Sequence, residues 1–125
     1  MRRSFDPVKF LELARDLAID GKYERECRSR TAMGRIYYAA FLVALQKLRE
    51  KGIVIQDDEK IHRAVIQTYI DKGLSNIGDI LDKLREKRVD ADYRMLANVP
   101  VDQCSKYAEL SEYVIELVEQ LQEIR

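Results

Sequence analysis

Apolar residues return every three or four positions in five stretches of the chain, each fenced by residues that start or stop helices. The first opens at Asp6-Pro7, a capping residue followed by a proline whose missing N–H a helix start tolerates. Val8, Leu11, Leu13, Ala14, Leu17 and Ala18 then keep helical spacing up to Gly21. The second runs from Lys22 to Lys51 and stops at Gly52. Its later half places Met33, Ile36, Tyr37, Ala40, Phe41, Ala44, Leu45 and Leu48 on one face, whereas Glu24 to Arg30 is charged and expected to be more exposed. A connector, Ile53 to Asp57, is expected to lie against the bundle. A third helix is predicted from Asp58 to Lys72-Gly73, with Ile61, Val65, Ile66, Tyr69 and Ile70 inward. A break at Leu74 to Gly78 precedes a fourth from Asp79 to about Val89, with Leu96 as its furthest extent. Beyond Pro100, Asp102 is expected to cap a last helix carrying Tyr107, Leu110, Val114, Leu117, Val118, Leu121 and Ile124 to the C-terminus. With no internal repeat or low-complexity linker, the pattern predicts one all-α domain over residues 1–125, an antiparallel up-and-down bundle of four to five helices.

The composition fits that class: 46% of residues are hydrophobic and 35% charged, and 125 residues suffice to bury a core. Lys plus Arg and Asp plus Glu each number 22, so the formal charge is zero. That argues against a general nucleic-acid coat and leaves room for one concentrated basic site. No apolar run approaches the ~18 residues of a membrane span, and the basic start Met1 to Pro7 lacks the apolar core of a signal peptide. A cytoplasmic protein with no membrane partner is the expectation. Cys27 and Cys104 have no second ligand nearby and read as reduced thiols serving as small apolar residues, so no metal or cofactor is expected. The single histidine, His62, rules out a His-rich metal site or a His–His acid–base pair within one subunit.

Two stretches carry candidate chemistry. Gly34-Arg35-Ile36-Tyr37-Tyr38-Ala39-Ala40-Phe41 puts paired rings and small residues in the second helix. Arg88-Val89-Asp90-Ala91-Asp92-Tyr93 sets an arginine four and five residues before an aspartate and a tyrosine, on or near one helical face. With Ile61-His62-Arg63 opening the third helix, these elements resemble the HEPN family. The subgroup in question has Ser-Arg-Ala-Tyr-Tyr-Ala-Ala-Phe in the second helix, where this chain has Gly34 for Ser and Ile36 for Ala, and Arg-x-x-Ala-Asp-Tyr at the end of the fourth.

The resemblance implies a small helical bundle, a homodimer, and nucleotide or RNA phosphate as ligand. It further implies a minimal nucleotidyltransferase as partner in a toxin–antitoxin-like pair. Nuclease-active members carry a histidine four to six residues after the arginine; here that window holds Asp92 and Tyr93, and His62 lies on another helix. A divergent metal-independent RNase with a composite dimer site is therefore a second reading, and a non-catalytic dimerising scaffold a third. The ligand-binding candidates are Arg35, Tyr38, Arg88, Asp92 and Tyr93; the catalytic candidates are Arg88, Tyr93 and His62. Arginine grips phosphate with a planar fork that stays charged. Tyrosine (pKa ~10) and aspartate (~3.9) are no ready substitutes for histidine as acid and base. Asp92 also fits a salt bridge within the bundle, with either Arg88 or Arg35. Arg35 fits either an internal pair or a cleft wall, and His62 fits a cap or packing role as well as a catalytic one.

Overall fold

The computed structural model describes residues 5–124; Met1 to Ser4 of the basic start, and Arg125, lie outside them. Among the described residues there are five α-helices: α1 (Val8–Ile19), α2 (Arg25–Glu50), α3 (Ile61–Asp71), α4 (Ser75–Tyr93) and α5 (Cys104–Glu119), the last preceded by a 3₁₀ turn, Val101–Gln103. The all-α bundle that the apolar spacing predicts is what forms.

Helix α2 is the central post. Ala32, Met33, Ile36, Tyr37, Ala39, Ala40, Ala44 and Leu48 along it are each at most 2% exposed, and α1, α4 and α5 pack around it. Long-range hydrogen bonds give the directions. Arg28 reaches the carbonyls of Leu17 and Ala18 while Arg35 lies over the Phe10 ring, so α1 and α2 are antiparallel. Arg30 meets Asp90 and Ala91 while Arg88 lies over Tyr38, so α4 is also antiparallel to α2. Helix α5 runs the same way as α2: Cys104 Sγ reaches Ser29 O, Ser111 Oγ donates to Ile36 O, and Lys47 Nζ donates to Leu121 O. The connector carries the chain back along the bundle, pinned by buried Ile55 and by Arg49 donating to Ile55 O. As a result His62 stands level with Tyr37.

Helix α3 packs principally on α4, and Gly78 makes this possible. A Cβ there would lie 2.6 Å from Ile70 Cγ1 and 3.1 Å from the Ile66 carbonyl. Gly78, expected in a break, is thus inside α4. The fourth helix starts at Ser75 rather than Asp79 because Gly73, at φ +79°, completes the turn alone. Its N–H donates to Ile70 O and that of Leu74 to Tyr69 O, closing α3 with a Schellman motif. Gly52, at φ +81°, ends α2 the same way.

Other ends differ from expectation for local reasons. Helix α2 starts at Arg25, not Lys22, because Glu24 takes the amides of Glu26 and Cys27 on its carboxylate, and those bonds hold its pKa below the ordinary value. Asp58 opens a turn that delivers the chain into α3 at Ile61. Asp102 does not cap α5 but sits in the 3₁₀ turn, without a side-chain cap bond. Helix α5 ends at Glu119, although Leu121 and Ile124 still pack on the core. Glu24 to Cys27 are exposed as expected, but Arg28 and Arg30 are half-buried, because each crosses to the C-terminus of a neighbouring helix, where carbonyls have no partner in their own helix. A guanidinium suits both the unpaired acceptors and the negative end of the helix dipole.

Candidate functional site

Arg88 and Asp92 sit one turn apart on α4, and the Arg88 Nε donates to Asp92 Oδ2 at 2.9 Å. Asp92, which the sequence allowed to pair with either Arg88 or Arg35, thus takes Arg88. The bond uses only Nε: among the described residues nothing else accepts from the Arg88 guanidinium. Its two Nη nitrogens remain available to a ligand, although the side chain is only 16% exposed. The guanidinium carbon lies 5.2 Å from the Tyr38 ring centre and 5.7 Å from that of Tyr93.

Arg35 approaches Tyr38 from α2 itself, 4.9 Å from the ring centre, and lies 4.9 Å from the Phe10 ring of α1. No carboxylate pairs with it among the described residues. It is therefore held by two rings, contacts worth about 0.5–2 kcal/mol each depending on exposure. The two guanidinium carbons are within about 10 Å of one another, both against Tyr38. Among the described residues Asp92 is the one acid bonded to either, and a Cβ on Gly34 would come 3.7 Å from its Oδ1, ordinary contact that a small side chain would fill.

The consecutive tyrosines part company. Tyr37 is fully buried and its hydroxyl is 2.7 Å from His62 Nδ1, whereas Tyr38 is half-buried on the arginine side. His62 is held in an aromatic nest: 4.4 Å from the Phe41 ring centre, 5.6 Å from Tyr37, and edge-on to Tyr38 at 5.9 Å. Burial depresses its pKa, and the charges of Arg88 and Arg85 depress it further. Burial also drives the Tyr37 hydroxyl well above the ordinary phenol range. Neither group is an ionised catalyst near neutrality.

The fold thus gathers Arg35, Tyr38, His62, Arg88, Asp92 and Tyr93 at one region. Phe10 and Arg85 join them without a local signal to mark them in the sequence, since their roles come only from α1 and α4 packing on α2. Arg30 was missed too. It donates from Nη1 to the carbonyls of Asp90, Ala91 and Arg94, and from Nη2 to those of Met95 and Ala97, so it fixes the end of α4 that bears Asp92 and Tyr93. An open cleft of about 520 Å³ begins beyond Asp92, but Glu24 and Glu26 line it and its arginine is this occupied Arg30, so it suits an anion poorly.

Cys27 is a free exposed thiol and Cys104 a free buried one. Among the described residues no group of His, Cys, Asp and Glu could hold a metal ion, and no helix is long and apolar enough to cross a membrane. The cluster offers two guanidiniums flanked by rings, which fits an anion with planar, stackable parts. The sequence model of the HEPN domain matches residues 8–121, nearly the whole chain. No curated protein and no solved structure matches it.

Proposed function

The chain belongs to the HEPN domain family, and from that membership we propose that it binds the phosphate of a nucleotide or RNA between Arg88 and Arg35. The observation that carries this reading is the Tyr38 ring with a guanidinium at 4.9 Å and another at 5.2 Å, one free of carboxylates and the other bonded through Nε alone. A purely structural arginine in a bundle is expected to spend its donors on protein acceptors, as Arg30 does. Tyr93, 68% exposed beside Arg88, adds a face on which a base can stack. Within the same proposal the protein is a homodimer, and works beside a minimal nucleotidyltransferase in a toxin–antitoxin-like pair. Exposed Met95 and Leu96, just beyond Tyr93 in the chain, offer apolar surface for a second subunit.

Anisotropy of a labelled single-stranded oligoribonucleotide, titrated at several salt concentrations, tests the binding. One phosphate neutralised by the arginine pair should give a log–log salt slope of about −0.7. Absence of saturable binding to RNA and to mononucleotides alike removes the reading. Light scattering tests the dimer, and a monomer mass at micromolar concentration refutes it.

A further inference from the structure

We propose that His62 is a neutral hydrogen-bond donor of this anion site, with its proton held on Nε2 by the buried Tyr37 hydroxyl. The proposal rests on the phosphate-binding reading and adds the third donor to it. Tyr37 is 0% exposed, and His62 Nδ1, at 2.7 Å, is the one partner of its hydroxyl among the described residues. A hydroxyl has a single proton to give. Were Nδ1 to carry the imidazole proton, the phenolic proton would be stranded in the core, a loss of about 1–3 kcal/mol. The Tyr37 O–H therefore donates to Nδ1, and the ring proton sits on Nε2.

Among the described residues Nε2 has no partner and no buried side-chain nitrogen or oxygen lacks one, so Nε2 opens to solvent. The charged groups that bear on the ring from α4 are Arg85 and Arg88; Asp82 acts on the Tyr37 hydroxyl; from α2 it meets Tyr37 and Tyr38; and on α3 its neighbour Arg63 is exposed. Among the described residues no carboxylate pairs with it. The surroundings favour the uncharged ring, and Phe41 and Tyr38 lock its plane. A neutral imidazole with Nε2–H outward is a donor and not a base. It suits a phosphate oxygen, and it speaks against an RNase in which His62 takes the 2′-hydroxyl proton.

His62 is the single histidine of the chain, so its ¹⁵N ring resonances are unambiguous. The probe is the dinucleoside monophosphate UpU, which has no group titrating near neutrality. At pH 7.5 the spectrum should show protonated Nε2 and bare Nδ1, and saturating UpU should move the Nε2 resonance. Tyr37→Phe, which keeps the ring, should mix the tautomers and weaken UpU binding about two- to ten-fold. His62→Gln, which keeps a side-chain N–H, should bind better than His62→Ala. A predominant Nδ1–H tautomer in the free protein overturns the proposal, whatever the ligand. UpU binding that is lost in Arg88→Ala but leaves the His62 resonance unmoved overturns the donor role and leaves the phosphate reading standing. No UpU binding by the wild-type protein overturns both.

Discussion

Replacing Arg30 by alanine should destabilise this bundle more than any other single change to a charged residue. The side chain is 15% exposed and donates to five carbonyls at 2.9–3.2 Å, those of Asp90, Ala91 and Ala97 in partly buried surroundings. Hydrogen bonds to a charged group contribute roughly 1.5–3 kcal/mol each. The Arg94 and Met95 carbonyls are exposed and would regain water, so only the three partly buried contacts count in full, and even these share one cation. A loss of about 3–4 kcal/mol follows, or roughly 10–15 °C in melting temperature for a domain of this size. The ion pair with Glu26 is a minor part, because that acid is 58% exposed; Glu26→Ala should cost less than about 1 kcal/mol. Arg30→Lys keeps a point charge but not the fork and should recover at most half. Urea denaturation followed by circular dichroism measures all three. A loss below about 1 kcal/mol for Arg30→Ala would show that water replaces the guanidinium freely and that α4 needs no anchor.

Three further outcomes follow from the same geometry. Gly78→Ala should destabilise by about 1–3 kcal/mol, because its Cβ would meet Ile70 and the Ile66 carbonyl; an unchanged melting temperature would mean that α3 and α4 separate easily. Cys27 should react quickly with a thiol reagent and Cys104 slowly, since burial removes it from solvent and raises its pKa; two fast thiols, or an intact mass 2 Da low, would contradict this. The Glu24 cap carries a pH signature. Its carboxyl is held below the ordinary 4.5 by the Glu26 and Cys27 amides, so its contribution is present above that pH and fades as the pH falls through the folded value. Glu24→Gln should therefore lower stability at pH 7 and narrow its difference from wild type at pH 3; an equal difference at both would refute the assignment.

What could be read from the sequence was whatever depends on neighbours along the chain. Helical spacing exposed the buried face of α2, and the four-residue step from Arg88 to Asp92 exposed their ion pair. The start of α4 was hidden, because Gly78 reads as a breaker when its service is close packing against α3, and one left-handed residue, Gly73, suffices for the turn. Within the charged opening of α2, Arg28 and Arg30 looked solvated like their exposed neighbours because their acceptors lie on α1 and α4. The same holds for the site. Arg35 gave no sign of Phe10 as a partner, nor His62 of Tyr37, because α1 and the returning connector bring them together.

The central claim is that Arg88 grips an anion and is not simply one side of a salt bridge. Its most direct test is a paired measurement on Arg88→Ala and Arg88→Lys: affinity for a short single-stranded oligoribonucleotide at fixed salt, and melting temperature. The Asp92 bond is partly exposed, so the account predicts that Arg88→Ala melts within a few degrees of wild type. It should nonetheless lose roughly 10- to 150-fold in affinity, the worth of a charge-assisted bond. Arg88→Lys should recover less than half of that loss in free energy, because phosphate bound by a fork discriminates against a point charge. An Arg88→Ala protein that melts many degrees lower yet binds as tightly as wild type would contradict the account, for Arg88 would then be scaffold alone.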